Sequence, residues 1–266
     1  MSDINEHGNH ILQPDFWDEL KRYTDARIAL GHTGASLPTK EHLRFTLDHA
    51  MARDAVHKPF DRLTVEQRVE ALNLGMLSVH SDAPSRHVFI AQPDRGRRLC
   101  AESRSRLEAY DAKPSDVVFV VADGLSSRAA EKQAVPLLKA VMPYMEQLNL
   151  SVGPVVVAEQ SRVALGDEIA WLLHGSLVAI LIGERPGLSA PDSLGVYITY
   201  DPHPGRLESE RNCISNIRPE GLTYDRAAFK MAWIMEAALR LGHSGTTLKD
   251  QSDDPRCCLA VKPMIE

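Results

Sequence analysis

The sequence contains few residues of the kinds that mark secreted, membrane-spanning or metal-binding proteins. It has four cysteines among 266 residues. Neither a Cys-x-x-Cys spacing nor a group of histidines accompanies them, so a disulfide framework or a zinc site is not expected. The longest apolar runs, residues 117–122 and 177–182, are far too short to cross a bilayer. The polar, acidic N-terminus lacks the order of a signal peptide. We expect a soluble, cytoplasmic protein.

An excess of positive charge and the common catalytic and nucleotide-binding motifs are also missing. Lysine and arginine number 30 against 36 acidic residues, a net charge of −6, so no overall positive field attracts nucleic acid. No Gly-x-Gly-x-x-Gly follows a predicted strand, and no P-loop occurs. Gly-x-Ser-x-Gly and His-Glu-x-x-His are absent as well. We predict no catalytic residues and no metal ligands on this chain.

The pattern of apolar residues changes near residue 85, from helical spacing before it to alternating short apolar runs and amphipathic stretches after it. Residues 1–84 are interpreted as an N-terminal helical segment without strands. Its longest predicted helix, residues 39–55, carries Leu43, Leu47 and Met51 in one stripe at helical spacing. Residues 242–266 are interpreted as a polar C-terminal tail, in which Cys257 and Cys258 are free thiols.

Between these segments, residues 85–241 alternate between short apolar runs and amphipathic stretches. The predicted strands are residues 88–91, 116–122, 152–158, 177–182 and 195–200, and the predicted helices are residues 93–112, 126–149, 167–173 and 224–241. We expect Pro136 and Pro143 to split or kink the second of these helices. Alternating strands and helices are typical of βαβ units and a mostly parallel sheet covered on both faces. The predicted fold class is α/β, an open, mostly parallel sheet preceded by a helical segment, since too few strands occur for an eightfold barrel.

A charged turn follows the most apolar of these strands. The run at residues 177–182 ends abruptly in Gly-Glu-Arg-Pro-Gly, residues 183–187. Ligands of open parallel sheets bind in the crevice beyond the carboxyl ends of the strands. Glu184 and Arg185 are therefore placed where a large ligand would contact them.

Three further motifs are ambiguous. Residues 123–126 (Asp-Gly-Leu-Ser) are compatible with an anion site at a helix start or with a simple turn and N-cap. Residues 201–205 (Asp-Pro-His-Pro-Gly) are similar to the Asp-x-His-x-x-Gly signature of some corrinoid proteins. The Gly comes one residue too early and prolines flank the His, so a loop is predicted. The arginine cluster at residues 95–98 lacks interleaved aromatics and favours a solvated helix face or a protein contact.

Five segments of the chain together resemble one family. They are Arg27 with residues 31–34 (Gly-His-Thr-Gly), and residues 92–100, 123–126, 183–188 and 211–217. In this order they resemble the small, or light, subunit of ethanolamine ammonia-lyase, an adenosylcobalamin-dependent enzyme. The resemblance covers residues 27 to about 221, which is most of the chain.

The resemblance implies a fold, a partner and a reaction. The small subunit of this family is a Rossmann-like α/β domain that packs against a large TIM-barrel subunit in a hetero-oligomer, with adenosylcobalamin (coenzyme B12) between them. The large subunit converts ethanolamine to acetaldehyde and ammonia, beginning with homolysis of the cobalt–carbon bond. The chain alone is therefore not expected to be active. Some members carry a long N-terminal extension linked to packaging in bacterial microcompartments. Here the motif region begins almost at once, so residence in a microcompartment stays open.

The resemblance also implies three cofactor contacts, Val163, Glu184 and Cys213. Glu184 lies in an intact Gly-Glu-Arg-Pro-Gly segment and Cys213 in an intact Cys-Ile-Ser-Asn-Ile segment. Val163 follows Ser161 and Arg162 where the family has Gly-Arg-Val, so Ser replaces Gly. Glu184 can accept hydrogen bonds from a corrin amide or a nucleotide hydroxyl. Two alternatives from other classes stay open, a stand-alone nucleotide-dependent α/β enzyme and a structural subunit that binds no cofactor.

Overall fold

A computed structural model describes residues 15–24, 26–254 and 260–261. The described part of the chain forms two compact units. The first contains the residues up to Asp54 together with Gly187–Pro191, and the second contains Ala55–Pro186 and the residues from Asp192 onward. The predicted division into residues 1–84, 85–241 and 242–266 stays a prediction. Cys257 and Cys258 lie outside the described residues.

The first unit contains a 3₁₀ helix, Asp18–Tyr23, and most of α1 (Thr39–His57). Arg27 connects the loop before α1 to the helix. Its Nη2 donates to the carbonyl oxygen of Glu41 at 2.9 Å, and its guanidinium lies 5.2 Å from the ring centre of Phe45. The family-like loop at residues 31–34 leads into a tight turn closed by hydrogen bonds between Thr33 and Ser36, and Gly31 and Gly34 have φ of 72° and 59°.

The second unit is an α/β assembly around one six-stranded sheet. Its elements in chain order are α2 (Arg62–Glu70), β1 (Met76–His80), α3 (Arg86–Ala91), α4 (Ala101–Glu108), β2 (Ser115–Ala122), α5 (Ser127–Gln147), β3 (Val155–Glu159), α6 (Leu165–Leu172), β4 (Gly175–Gly183), β5 (Leu194–Tyr200), β6 (Arg211–Ile217) and α7 (Tyr224–Leu241). Short 3₁₀ helices occupy Pro93–Arg97, Glu208–Glu210 and Gly245–Thr247.

The strand order across the sheet is β1-β3-β2-β4-β5-β6. The first four strands in this order pair in parallel, whereas β5 is antiparallel to both of its neighbours. The prediction of an α/β fold with a mostly parallel sheet is confirmed. A helical segment precedes the first strand, as expected.

Apolar residues of β2 fill the core on both sides of the sheet. Val117, Phe119 and Val121 pack on the side that carries α5 and α7, and Val118 and Val120 pack on the side that carries α6. All five are fully buried. Successive side chains of a strand point to opposite faces, so a strand covered on both sides needs apolar residues throughout. This is why the run was recognisable in the sequence.

One strand prediction and one helix prediction are wrong, and two strands were not predicted. Residues 88–91 belong to α3, which Ser85 caps by accepting a hydrogen bond from the Val88 N–H at 3.4 Å. The predicted helix at residues 93–112 is a 3₁₀ helix followed by the shorter α4. The segment up to residue 84 does contain a strand, β1, and β6 was not predicted at all.

The helix after β2 is confirmed, but its prolines do not split it. Ser126 caps α5 by accepting a hydrogen bond from the Ala129 N–H at 3.3 Å, and α5 continues through Pro136 and Pro143. Among the described residues, no helix is both long enough and apolar enough to cross a membrane.

Candidate functional site

The turns that follow β2 and β4 are packed together at the carboxyl edge of the sheet. The N–H of Leu125 donates to the carbonyl oxygen of Gly183 at 2.9 Å. Gly124 has φ of 54°, and a Cβ there would lie 2.2 Å from the Gly183 oxygen. A Cβ on Gly183 would lie 2.1 Å from the carbonyl oxygen of Ser126. Both positions therefore require glycine, and the two family-like segments are in direct backbone contact.

This point is also where the direction of the chain changes across the sheet. From β2 the chain crosses to β3 through α5, whereas from the adjacent β4 it turns to β5 on the other side. Connections that leave neighbouring strands in opposite directions open a crevice between them, and ligands of α/β proteins bind in such crevices. The predicted location of a ligand site after β4 thus coincides with the switch point of the sheet.

Glu184 is fixed at this edge by its neighbours. Its N–H donates to the carbonyl oxygen of Ser193 at 3.0 Å. Its Oε2 accepts hydrogen bonds from the Ser193 hydroxyl at 2.5 Å and from the Asn216 N–H at 3.2 Å. The side chain lies over Gly195, where a Cβ would be 3.0 Å from Oε1. Oε1 has no hydrogen-bond partner among the described residues and is available to a ligand.

Cys213 lies in β6 beside Tyr197 of β5, with which it is in register. Cys213 is exposed, and its Sγ lies 3.3 Å from the Ser215 hydroxyl. Burial raises the pKa of the Tyr197 phenol, and Cys213 and Glu184 raise it further. Tyr197 therefore stays neutral, and it lines the same cavity as Glu184. Sequence reasoning missed Tyr197, although the alternation of β5 places it on the same face as Gly195.

Val163 lies in the turn between β3 and α6 and faces a cavity of about 430 Å³. The cavity is lined by Gly124, Leu125, Arg162, Val163, Ile182, Gly183, Glu184, Arg185 and Tyr197. Val163 and Glu184 thus share one cavity, and Cys213 is next to it through Tyr197. The structure brings the three predicted site residues together.

A buried carboxylate organises the turn before Val163. Asp123 is fully buried, and its two oxygens accept the N–H groups of Gln160 at 3.0 Å and Ser161 at 2.9 Å. Arg86 Nη1 lies 3.3 Å from Asp123 Oδ2. Burial raises the pKa of Asp123 to about 6, while the N–H of Ser161 and the charge of Arg86 act in the opposite direction. At neutral pH the carboxylate is mostly ionised and holds the turn after β3 against the end of β2.

Serine at position 161 is compatible with this turn. Ser161 is fully buried, its hydroxyl donates to the carbonyl oxygen of Arg162 at 3.2 Å, and its φ is not in the left-handed region. The family's glycine is therefore not required here by backbone conformation. The departure from Gly-Arg-Val leaves Val163 in place.

Arg162 is held by the segment at residues 92–100. Its side chain packs on Gly96, where a Cβ would lie 2.9 Å from Arg162 Cγ, and its N–H donates to the Gly96 carbonyl oxygen at 2.8 Å. The guanidinium of Arg162 lies 4.3 Å from the ring centre of Phe89, and that of Arg86 lies 4.8 Å from it. Both guanidinium groups contact this one ring. The arginine-rich segment therefore supports the wall of the cavity.

Another cavity, of about 530 Å³, lies at the opposite edge of the sheet, lined by Trp171, His174 and Asp201 among others. None of the predicted site residues lines it. Residues 201–205 form a loop there, as predicted. Among the described residues, no cluster of three or more His, Cys, Asp or Glu side chains is arranged to bind a metal ion.

Comparison with known proteins gives one consistent result. The family described as ethanolamine ammonia-lyase light chain matches residues 14–249. The chain belongs to this family. A protein of Rhodopseudomonas palustris named ethanolamine ammonia-lyase small subunit is 49% identical over 234 residues, which cover 88% of this chain and 90% of that protein. Proteins with the same name from Azotobacter vinelandii and Pseudomonas fluorescens are 46% and 48% identical, over 90% and 89% of this chain and 90% and 87% of their own lengths.

Membership in the ethanolamine ammonia-lyase light chain family confirms the resemblance inferred from five short segments. Four of these segments supply residues to the cavity or to its supports: Gly96, Gly124, Gly183 and Asn216 each make one of the contacts described above. The matched region also contains Val163, Glu184 and Cys213. Their role as cofactor contacts stays a prediction.

Proposed function

We propose that this chain is the small subunit of an adenosylcobalamin-dependent ethanolamine ammonia-lyase, and that its cavity holds one side of the cofactor. The observation that carries the proposal is the convergence of Val163, Glu184 and Cys213 at the switch point of the sheet. These residues were selected from family-like segments that lie far apart in the sequence.

The cavity fits part of a corrinoid. Its volume of about 430 Å³ is too small for a complete corrin ring with its nucleotide loop. The exposed face of β6 around Cys213 continues the surface beyond the cavity. Both features agree with a cofactor that a second chain covers from the other side. Since the relatives are named small subunits, we propose that this second chain is the larger, TIM-barrel subunit.

Each residue has a defined task in this proposal. Glu184 Oε1 accepts a hydrogen bond from a corrin amide or a nucleotide hydroxyl, while Oε2 remains bonded to Ser193 and Asn216. Val163 provides an apolar wall, and Cys213 with Tyr197 provides a soft, polarizable surface. When bound, adenosylcobalamin supplies radical chemistry through homolysis of its cobalt–carbon bond. This chain's residues orient the cofactor and exclude water on one side, and the reaction of ethanolamine takes place on the larger subunit.

The affinity of the assembled complex for cobalamin tests this proposal. Loss of a hydrogen bond to a charged acceptor costs about 1.5–3 kcal/mol, so we expect Glu184→Ala to raise the Kd about tenfold or more. Cys213→Ala should raise it less, because only packing is lost. Glu102→Ala removes an equally charged side chain that is 83% exposed on α4 and should leave the Kd unchanged.

The binding measurement also separates the proposal from a purely structural role. Assembly with the larger subunit and the thermal unfolding of each variant are measured in parallel, so that a folding defect is recognised. If Glu184→Ala and Cys213→Ala both assemble and bind cobalamin with wild-type affinity, the cofactor contacts are elsewhere and the site assignment is wrong.

A further inference from the structure

The cofactor cavity is lined by two arginines that form no ion pair with a carboxylate of the described residues. Arg162 and Arg185 both line the cavity, and neither forms an ion pair among the described residues, in a chain whose net charge is −6. Glu184 is the one carboxylate that lines the same cavity, and it is not within ion-pair distance of either arginine. A concave site with two such guanidinium groups favours an anionic ligand group.

Buried polar atoms without partners occur in Arg162, which lines the cavity, and in Arg86 and Gln160, which both contact Asp123. Among the described residues, the buried side-chain atoms that lack a hydrogen bond include Arg86 Nη2, Gln160 Oε1 and Arg162 Nε. Arg86 pairs with Asp123, Gln160 donates its N–H to Asp123, and Arg162 follows in the same turn. Native structures leave few buried polar atoms unsatisfied, so such a group of them indicates a polar ligand or ordered water.

Arg162 is positioned before any ligand arrives. Its Nη2 donates to the carbonyl oxygen of Phe89 at 3.1 Å, and its guanidinium lies on the Phe89 ring. Burial lowers the pKa of Arg162, and the nearby charges of Arg86, Arg97 and Arg185 lower it further, while the charge of Asp123 acts in the opposite direction. The guanidinium therefore lies among like charges in a partly desolvated position. A negatively charged ligand group would relieve this repulsion, and little side-chain entropy would be lost on binding.

We propose that Arg162 and Arg185 bind the phosphodiester of the nucleotide loop of the corrinoid. This inference rests on the proposed function and specifies which part of the cofactor faces this chain. The side chains around a corrin ring are neutral amides, whereas the phosphodiester carries a formal negative charge. Guanidinium groups form short, charge-assisted hydrogen bonds with phosphate oxygens. Arg162 and Arg185 are thus positioning residues for the nucleotide end of the cofactor.

Two corrinoids distinguish this proposal from a general effect on binding. Cobalamin contains the phosphodiester, and cobinamide lacks the nucleotide loop together with its phosphodiester. The Kd of each is measured spectroscopically on the assembled complex for wild type, Arg162→Gln, Arg162→Lys and Arg185→Gln. Losing one charge-assisted hydrogen bond should weaken cobalamin binding about 10- to 100-fold. Cobinamide binding should change less than twofold, and Arg162→Lys should lie between wild type and Arg162→Gln.

A control variant and a second anion make the outcome unambiguous. Arg106→Gln removes the same charge from an exposed position that pairs with Glu102, and it should affect neither corrinoid. Inorganic phosphate should compete with cobalamin in wild type and less in Arg185→Gln. Equal weakening of cobalamin and cobinamide, or no weakening of either, would overturn the proposal. A third outcome would also overturn it: the arginine variants weaken phosphate binding but do not distinguish cobalamin from cobinamide. The arginines would then bind a free anion and not the phosphodiester of the cofactor.

Failure of this inference differs from failure of the proposed function. If Glu184→Ala weakens cobalamin binding but the arginine variants do not distinguish the two corrinoids, the cofactor is bound here with its phosphodiester elsewhere. If neither Glu184→Ala nor the arginine variants changes the affinity for either corrinoid, the cofactor is not bound at this cavity. Arg185 is exposed, so Arg185→Gln should fold normally even if the Arg162 variants do not.

Discussion

Asp123 shows how one buried side chain can support a site without lining it. It lies at the end of β2, accepts two N–H groups from the turn after β3 and pairs with Arg86. The turn that it fixes carries Arg162 and Val163. The sequence motif at residues 123–126 suggested either an anion site or an N-cap. The structure shows the N-cap at Ser126, and it adds an internal anion, the Asp123 carboxylate itself.

The raised pKa of Asp123 gives a prediction for the dependence of stability on pH. In the folded protein the Asp123 carboxyl has a pKa of about 6, above the ordinary value of 3.8. It therefore keeps its proton to a higher pH than in the unfolded chain. Its stabilising contribution is therefore complete below pH 4 and is lost as the pH rises through 6. A shift of this size corresponds to roughly 3 kcal/mol.

We expect the free energy of unfolding of wild type, minus that of Asp123→Asn, to fall between pH 4 and pH 7 by up to this amount. Urea unfolding at a series of pH values measures both proteins. The difference removes the contribution of other groups, including Asp167, whose pKa burial also raises. A difference that rises with pH would contradict the prediction, because Arg86 and the N–H groups would then stabilise the ionised form more than burial opposes it.

At the scale of elements, the sequence predicted the interior of the sheet better than its edges. β2, β3, β4 and β5 were all recognised because strands with neighbours on both sides carry apolar runs. β1 and β6 are the edge strands. β6 reads Arg-Asn-Cys-Ile-Ser-Asn-Ile and exposes Cys213, Ser215 and Asn216, so its composition gave no strand signal. The same polar residues made it recognisable as a family-like segment.

The site was predictable only in part for a related reason. Glu184 follows an obvious strand, so its place at the carboxyl edge followed from general rules of α/β folds. Tyr197, Arg86 and Asp123 enter the site through pairing across strands and through contacts between turns. Such contacts depend on the strand order, which one sequence does not reveal.

The contact between the turns after β2 and β4 gives a second prediction. Gly183→Ala would place a Cβ 2.1 Å from the Ser126 carbonyl oxygen, so the two turns must separate. Overpacking of this kind destabilises proteins by about 1–3 kcal/mol, and we expect cobalamin affinity to fall as well. Gly187→Ala is a matched control from the same Gly-Glu-Arg-Pro-Gly segment, since its Cβ would meet nothing closer than 3.8 Å.

Urea unfolding and cobalamin titration of the assembled complex measure both glycine variants. The contact between the turns after β2 and β4 would be unimportant if Gly183→Ala unfolded at the same urea concentration as Gly187→Ala and bound cobalamin equally well.

At the scale of the whole molecule, apolar side chains are exposed in the first unit. The stripe of Leu43, Leu47 and Met51 was predicted as the apolar face of a helix. In α1 these side chains are 62%, 60% and 40% exposed. Phe16, Trp17 and Tyr23 of the same unit are exposed as well. Exposed apolar side chains grouped along one helix mark a candidate interaction surface.

We therefore expect the isolated chain to self-associate through this stripe. Sedimentation velocity should show species larger than the monomer that increase with protein concentration. The double variant Leu43→Ser, Leu47→Ser should reduce them, because two exposed apolar side chains are removed without any change in the core. Glu70→Ser, an exposed position in α2, serves as a control. Unchanged association in the double variant would place the contact elsewhere.

The walls of the cavity after β4 come from stretches that are widely separated along the chain. Gly124 follows β2, Val163 follows β3, Glu184 follows β4, and Tyr197 lies in β5, while Asn216 of β6 holds Glu184 in place. No incomplete chain that ends before β6 contains all of them. On the proposed function, cobalamin then recognises only the finished sheet, and its binding energy adds to the free energy of unfolding. At a hundred times the Kd this amounts to about 2.7 kcal/mol. Cobalamin would therefore stabilise only completely folded chains. In a cell that lacks cobalamin, a larger fraction of the chain is unfolded and exposed to proteases.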